Sequence, residues 1–175
     1  VEGLFNTPWN DYVTSMKADA WINRIVGFNG ILYVIAAFSA IFITSSNKKY
    51  LKYPIRIGAF LLVLLSLLSA KDKFYHYGQF FEHAIQFGVP FVLLMAVNIK
   101  SNVKKISLYL KVLIAITFTA HGLYALGYYP IPGYFIDMTI SCINVTEDIA
   151  VLILNTAGVL DILLSILIFV PKLAK

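Results

Sequence analysis

The chain has 175 residues, 59% of them hydrophobic and only 13% charged, with a formal net charge of +5 and a mean hydropathy of +0.79. Soluble domains carry about 45–50% apolar and about 25% charged residues, and a soluble domain this apolar would expose large patches and aggregate. The single cysteine, Cys142, excludes an intrachain disulfide and any cysteine-based metal cluster.

A hydrocarbon core about 30 Å thick takes roughly 20 apolar residues per helix. The length therefore accommodates an all-α integral membrane protein, a bundle of about five transmembrane helices with no separate soluble domain. Residues 1–21 carry Trp9, Tyr12, Val13, Met16 and Ala20 at intervals of three or four, with Asp11, Lys17 and Asp19 between them. That pattern predicts an amphipathic N-terminal interfacial helix. The same charges interrupt any apolar run in the first 20 residues, so no secretory signal is expected in a chain that opens at Val1. Residues 22–175 form the bundle.

The predicted spans are 22–44; 54–70, with Pro54 in its first turn; 79–99, kinked at Pro90; 106–126; and 148–170, stopped by Pro171. The Gly-, Pro- and Tyr-rich stretch 127–147 reads as a turn followed by a short re-entrant or interfacial helix. Asn144-Val145-Thr146 matches a glycosylation sequon, and Tyr128, Tyr129, Tyr134, Trp9 and Trp21 suit an interfacial aromatic belt.

Orientation follows from the basic residues. Lys48, Lys49, Lys52, Arg56, Lys100, Lys104, Lys105, Lys111, Lys172 and Lys175 fall on one side of this threading; Lys17, Arg24, Lys71 and Lys73 fall on the other with most of the acids. The basic side is cytoplasmic, which puts the protein in the cell inner (plasma) membrane with its N-terminus outside and C-terminus in the cytoplasm. The same partition accounts for the positive charge through membrane lipids rather than nucleic acid.

Threaded in this way, polar residues gather in the outer half. On the third span His76, Gln79, His83 and Gln86 share one helical face, with Glu82 beside it. Thr117, His121 and Tyr124 share a face of the fourth, and His83 and His121 reach a similar depth. Ionisable groups inside a bilayer face a bundle interior or a wet cavity, so His76, Glu82, His83, Gln86, His121 and Tyr124 are the candidate lining of a pocket. Three chemistries fit the histidine pair: axial ligation of a b-type haem or another metal, a quinone or lipid headgroup site at which His and Glu exchange protons, and interhelical hydrogen bonding alone. Asp161, thirteen residues into the fifth span, is the costliest residue to bury. It reads as a structural hydrogen-bonding group, with Thr117 or a backbone carbonyl as partner, as an ion-pair partner of Lys111, or as a proton relay.

The block His121-Gly122-Leu123-Tyr124-Ala125-Leu126-Gly127, the following Tyr129-Pro130-Ile131-Pro132-Gly133-Tyr134-Phe135, and the run Gly78-Gln79-Phe80-Phe81-Glu82-His83 resemble the DoxX-like group of small bacterial membrane proteins. The resemblance implies a four-helix plan and, for some members, quinone- or thiol-linked redox chemistry. This chain has an additional span and one cysteine, and the resemblance assigns no catalytic residue.

No phosphate loop, nucleophile elbow or HExxH motif names a reaction. Two functions from different classes follow: a redox- or quinone-associated membrane component with an outer-leaflet pocket, or a non-catalytic accessory subunit packing on other membrane subunits. A proton-coupled carrier built on Asp161 is the third, set back by the lack of an internal repeat.

Overall fold

The computed structural model describes residues 8–44, 47–73, 75–97, 102–129 and 133–170. Every regular element among them is a helix: α1 Trp9–Thr14, α2 Met16–Phe42, α3 Lys48–Asp72, α4 Tyr77–Glu82, α5 Ala84–Ala96, α6 Val103–Ala125, α7 Gly133–Ile143 and α8 Glu147–Leu167. Among the described residues four helices are long and apolar enough to cross a membrane: α2 from Asp19 onward, α3, α6 and α8. The apolar α5 is shorter, at 13 residues.

The chain divides into two compact units, Val1–Gly58 and Ala59–Lys175, with the boundary inside α3. In the first unit, the expected interfacial segment becomes the short α1 and the opening turns of α2, while residues 1–7 lie outside the described part. From Ile25 to Phe42 α2 is apolar on all faces apart from Asn29 and Ser39, the pattern of a membrane-spanning helix. Asn47 closes its C-terminal end: the side-chain amide donates to the Phe42 carbonyl at 2.9 Å and the side-chain oxygen accepts from the Thr44 N–H at 2.6 Å. α3 starts six residues before Pro54, which therefore lies inside the helix rather than in its first turn. Its second turn consequently lacks one backbone hydrogen bond. A side chain on Gly58 would begin 2.7 Å from the Ala36 methyl, so glycine lets α2 and α3 approach.

In the second unit α6 is the central helix, packed against α4, α5 and α8, while α7 packs on α8. The buried apolar side chains are mainly small, including Ala84, Ala120, Ala125 and Ala150. Without a hydrophobic drive between helices in lipid, such residues allow the close approach that dispersion forces require. Gly122 and Gly158 bring the backbones of α6 and α8 into contact. A Cβ on either would stand 2.8–2.9 Å from the other's carbonyl oxygen.

The expected third span is two helices, interrupted at His83 (φ −94°, ψ 10°). The His83 N–H donates to the Phe80 carbonyl at 3.2 Å, a tightened final turn of α4. The break leaves the first N–H groups of α5 without helical acceptors. Thr117 of α6 takes up one of them, its hydroxyl oxygen accepting from the Ile85 N–H at 3.1 Å. The interruption is thus held from the neighbouring helix. It also changes the helical phase, so the stripe expected from His76 to Gln86 is not one continuous face.

Candidate functional site: a histidine between two carboxylates

α4, α6 and α8 each contribute one ionisable side chain to a single point. His121, in the last full turn of α6, has Nδ1 at 3.2 Å from Asp161 Oδ2 of α8. Its Nε2 lies 3.8 Å from Glu82 Oε1 at the end of α4. The first is a hydrogen bond; the second is an approach beyond hydrogen-bond length. The two carboxylates are partly sheltered, their side chains 16% and 18% exposed, whereas the His121 side chain is 46% exposed. The second Glu82 oxygen, Oε2, accepts from the Gln79 side-chain amide at 3.1 Å. Gln79 is itself buried and thereby fixes the Glu82 carboxylate.

The register of α6 against α8 makes the meeting possible. At the Gly122–Gly158 contact the two backbones touch, and one residue from Gly122 and three from Gly158 bring His121 and Asp161 together. The ring of Phe135 on α7 lies 5.4 Å from that of His121. A cavity of about 400 Å³ opens beside these groups, lined by Thr117, Phe118, His121, Ala125, Phe135, Leu154, Ala157 and Asp161. It is polar at His121 and Asp161 and otherwise chiefly apolar.

Of the residues expected from the sequence, Glu82, His121 and Asp161 are brought together, and Gln79 supports them. Tyr124 is buried nearby. His83 is directed elsewhere: its Nδ1 is 2.7 Å from the Gln79 carbonyl of its own helix. A carbonyl only accepts, so Nδ1 carries the proton there and the neutral ring keeps its free electron pair on Nε2. His76 is half-buried with its ring edge-on to Tyr129 at 5.4 Å, and Gln86 is exposed. Glu147 and Asp148 stand in the first turn of α8, where the helix dipole favours acids.

Each nitrogen of His121 has a carboxylate oxygen within 4 Å on its own side of the ring. The two carboxylates thus approach different nitrogens instead of converging on one coordination point. Among the described residues no group of three or more His, Cys, Asp and Glu side chains could hold a metal ion. What the arrangement can do is move a proton. An imidazole accepts at one nitrogen and releases from the other: His121 Nδ1 shares its proton with Asp161 across the hydrogen bond, and Nε2 can exchange with Glu82 once that carboxylate moves in from 3.8 Å. Known protein families, curated proteins and solved structures contain no match to this chain.

Proposed function

We propose that this protein is a small plasma-membrane component that binds the polar head of a quinone-class amphiphile and exchanges protons with it at His121. In this reading α4 and α5 together make a fifth crossing, the N-terminus is outside, and the pocket lies in the outer half. The observation that carries it is His121 held between Glu82 and Asp161 at the wall of the 400 Å³ cavity. That volume lies within the range of about 300–1,000 Å³ for small-molecule sites, which pair apolar walls with a few placed polar groups. A quinone head needs hydrogen bonds at its oxygens, and Phe118, Phe135, Leu154 and Ala157 suit its ring and tail.

The test is a decylubiquinone titration of the protein in lipid nanodiscs, with protein-free nanodiscs as reference. Saturable binding is expected, weakened tenfold or more by His121→Leu and unchanged by His83→Leu. Partitioning equal to that of empty nanodiscs would sink the proposal.

A second reading, an accessory subunit in a larger membrane assembly, draws on Asn29 in the middle of α2. Its side chain is half-buried on an otherwise apolar stretch of helix, and polar side chains within membranes commonly bond across helices. A photo-crosslinking residue at position 29 should then capture one partner in stoichiometric yield in native membranes; lipid adducts alone would count against it.

A further inference from the structure

Tyr124 is 4% exposed, and its hydroxyl is buried without a hydrogen-bond partner. Gln79 approaches the hydroxyl with both its side chain and its backbone, and the charges of Glu82 and Tyr129 act on it. Such a group is rare in folded proteins and commonly marks a bound water or ion. Gly78 makes the room: a Cβ there would stand 2.9 Å from Tyr124 Cε2 and 3.1 Å from the hydroxyl oxygen. Tyr124 lies one turn beyond His121, toward the end of the bundle where α6 stops. Its ring is 4.9 Å from that of Tyr129, which in turn meets the exposed Tyr128 and the half-buried His76.

We infer that a water held between the Tyr124 hydroxyl and the Gln79–Glu82 pair forms the proton entrance to the His121 site. The inference rests on His121 being the proton-exchanging group, not on the identity of the amphiphile. The water takes up a proton from bulk solvent as it gives one to Glu82; the Glu82 carboxyl, on closing the 3.8 Å gap, protonates His121 Nε2, and His121 releases its Nδ1 proton to Asp161 across the 3.2 Å hydrogen bond. One positive charge moves, no electrons move, and the imidazole ends neutral with its proton on Nε2. A ring rotation or the reverse transfer resets it. Gln79 is a positioning residue in this path, because its amide donates to Glu82 Oε2 at 3.1 Å and holds the other oxygen toward His121.

The chain has three histidines, so [15N]histidine NMR of the nanodisc-embedded protein can follow the His121 ring N–H, assigned with His76→Asn and His83→Asn. Its exchange with water is expected to slow at least tenfold in Tyr124→Phe, with the His121 shifts unchanged. The exposed Tyr128→Phe should leave exchange at the wild-type rate. Exchange in Tyr124→Phe as fast as in wild type overturns the inference. If that variant does not fold, Gly78→Ala, whose methyl pushes on the hydroxyl, decides in the same way. Decylubiquinone affinity is measured on the same samples. A wild-type affinity in Tyr124→Phe separates the path from the pocket, and a tenfold loss would place Tyr124 in the pocket and overturn the path. Should decylubiquinone fail to bind even the wild-type protein, the quinone reading falls while the exchange measurement still decides the path.

Discussion

Removing the His121 ring should cost more than its packing, because it leaves Glu82 and Asp161 without the group that lies between them. An unpaired sheltered polar group costs about 1–3 kcal/mol, and the partial exposure of both carboxylates sets His121→Leu near the lower end of that range. Asp161→Asn keeps an acceptor for the Nδ1 proton, so the fold should stay within about 1 kcal/mol of wild type. Thermal unfolding in detergent would test both, and equal melting temperatures for His121→Leu and wild type would show that the three groups are not coupled. The sequence identifies His121, Glu82 and Asp161 as costly polar residues inside an apolar chain, but not as partners of one another. Thr117 stands at a suitable helical position to bond Asp161, yet in the structure its hydroxyl serves the Ile85 N–H. That use arises only because the backbone breaks at His83, and no residue pattern between Phe80 and Phe87 announces the break. Matching depths for His83 and His121 assume a continuous third helix as well. With the break, Glu82 is the side chain that turns toward α6, and the His83 ring bonds to its own helix.

The packing of α6 on α8 places His121 against Asp161, and two glycines set its distance. A Cβ on Gly122 would start 2.8 Å from the Gly158 carbonyl oxygen, a backbone atom that can retreat only by moving a helix. Gly122→Ala is therefore expected to destabilise by roughly 1–3 kcal/mol, as overpacking does, and to lengthen the His121–Asp161 contact. Gly88→Ala makes a useful contrast: its nearest atoms, at 2.4 and 2.6 Å, are the two Cδ methyls of Leu113. Those methyls end a flexible side chain, whose displacement from a rotamer costs about 0.5–1.5 kcal/mol. Melting temperatures should fall in the order wild type, Gly88→Ala, Gly122→Ala, and a larger loss at Gly88 would contradict the argument. The long helices were legible because unbroken apolar composition reports span length: 106–126 corresponds to Val103–Ala125 and 148–170 to Glu147–Leu167. Their mutual register was not. Counting depth from the helix ends assumes that both stop at one level, whereas Leu126, just past the end of α6, lies against Gly158, eleven residues into α8. α7 packs on α8, and its Phe135 reaches the His121 ring.

How many times the chain crosses the membrane turns on the pair α4 and α5. Alone, the 13 residues of α5 rise about 20 Å at 1.5 Å per residue, short of a hydrocarbon core about 30 Å thick. The stretch from Tyr77 to Ala96 rises about 30 Å if the two pieces are nearly collinear. A five-span threading uses that full stretch and places Lys71 and Lys73 opposite Lys104 and Lys105. The richer basic cluster then lies with Lys48, Lys49 and Lys52 on the cytoplasmic side. In a four-span threading α4 and α5 dip in and return, and both flanking loops lie on one side; Lys17, Arg24, Lys71 and Lys73 then share the richer basic side with Lys104 and Lys105, and Lys48, Lys49, Lys52 and Arg56 are left opposite, so the N-terminus changes sides. Cys142 is exposed and is the chain's only cysteine, so Cys142→Ser gives a clean background for single cysteines at positions 73 and 102. A membrane-impermeant maleimide applied to intact cells should label native Cys142 and the position-73 cysteine, and reach position 102 only after permeabilisation. The N-terminus outside is tested in the same background by a cysteine at position 17, which should label in intact cells while one at position 49 should not. Labelling of 73 and 102 from the same side would replace the fifth crossing with a re-entrant pair. It would also move Glu82 from a membrane-crossing helix to the wall of a re-entrant loop, leaving His121 and Asp161 paired as before.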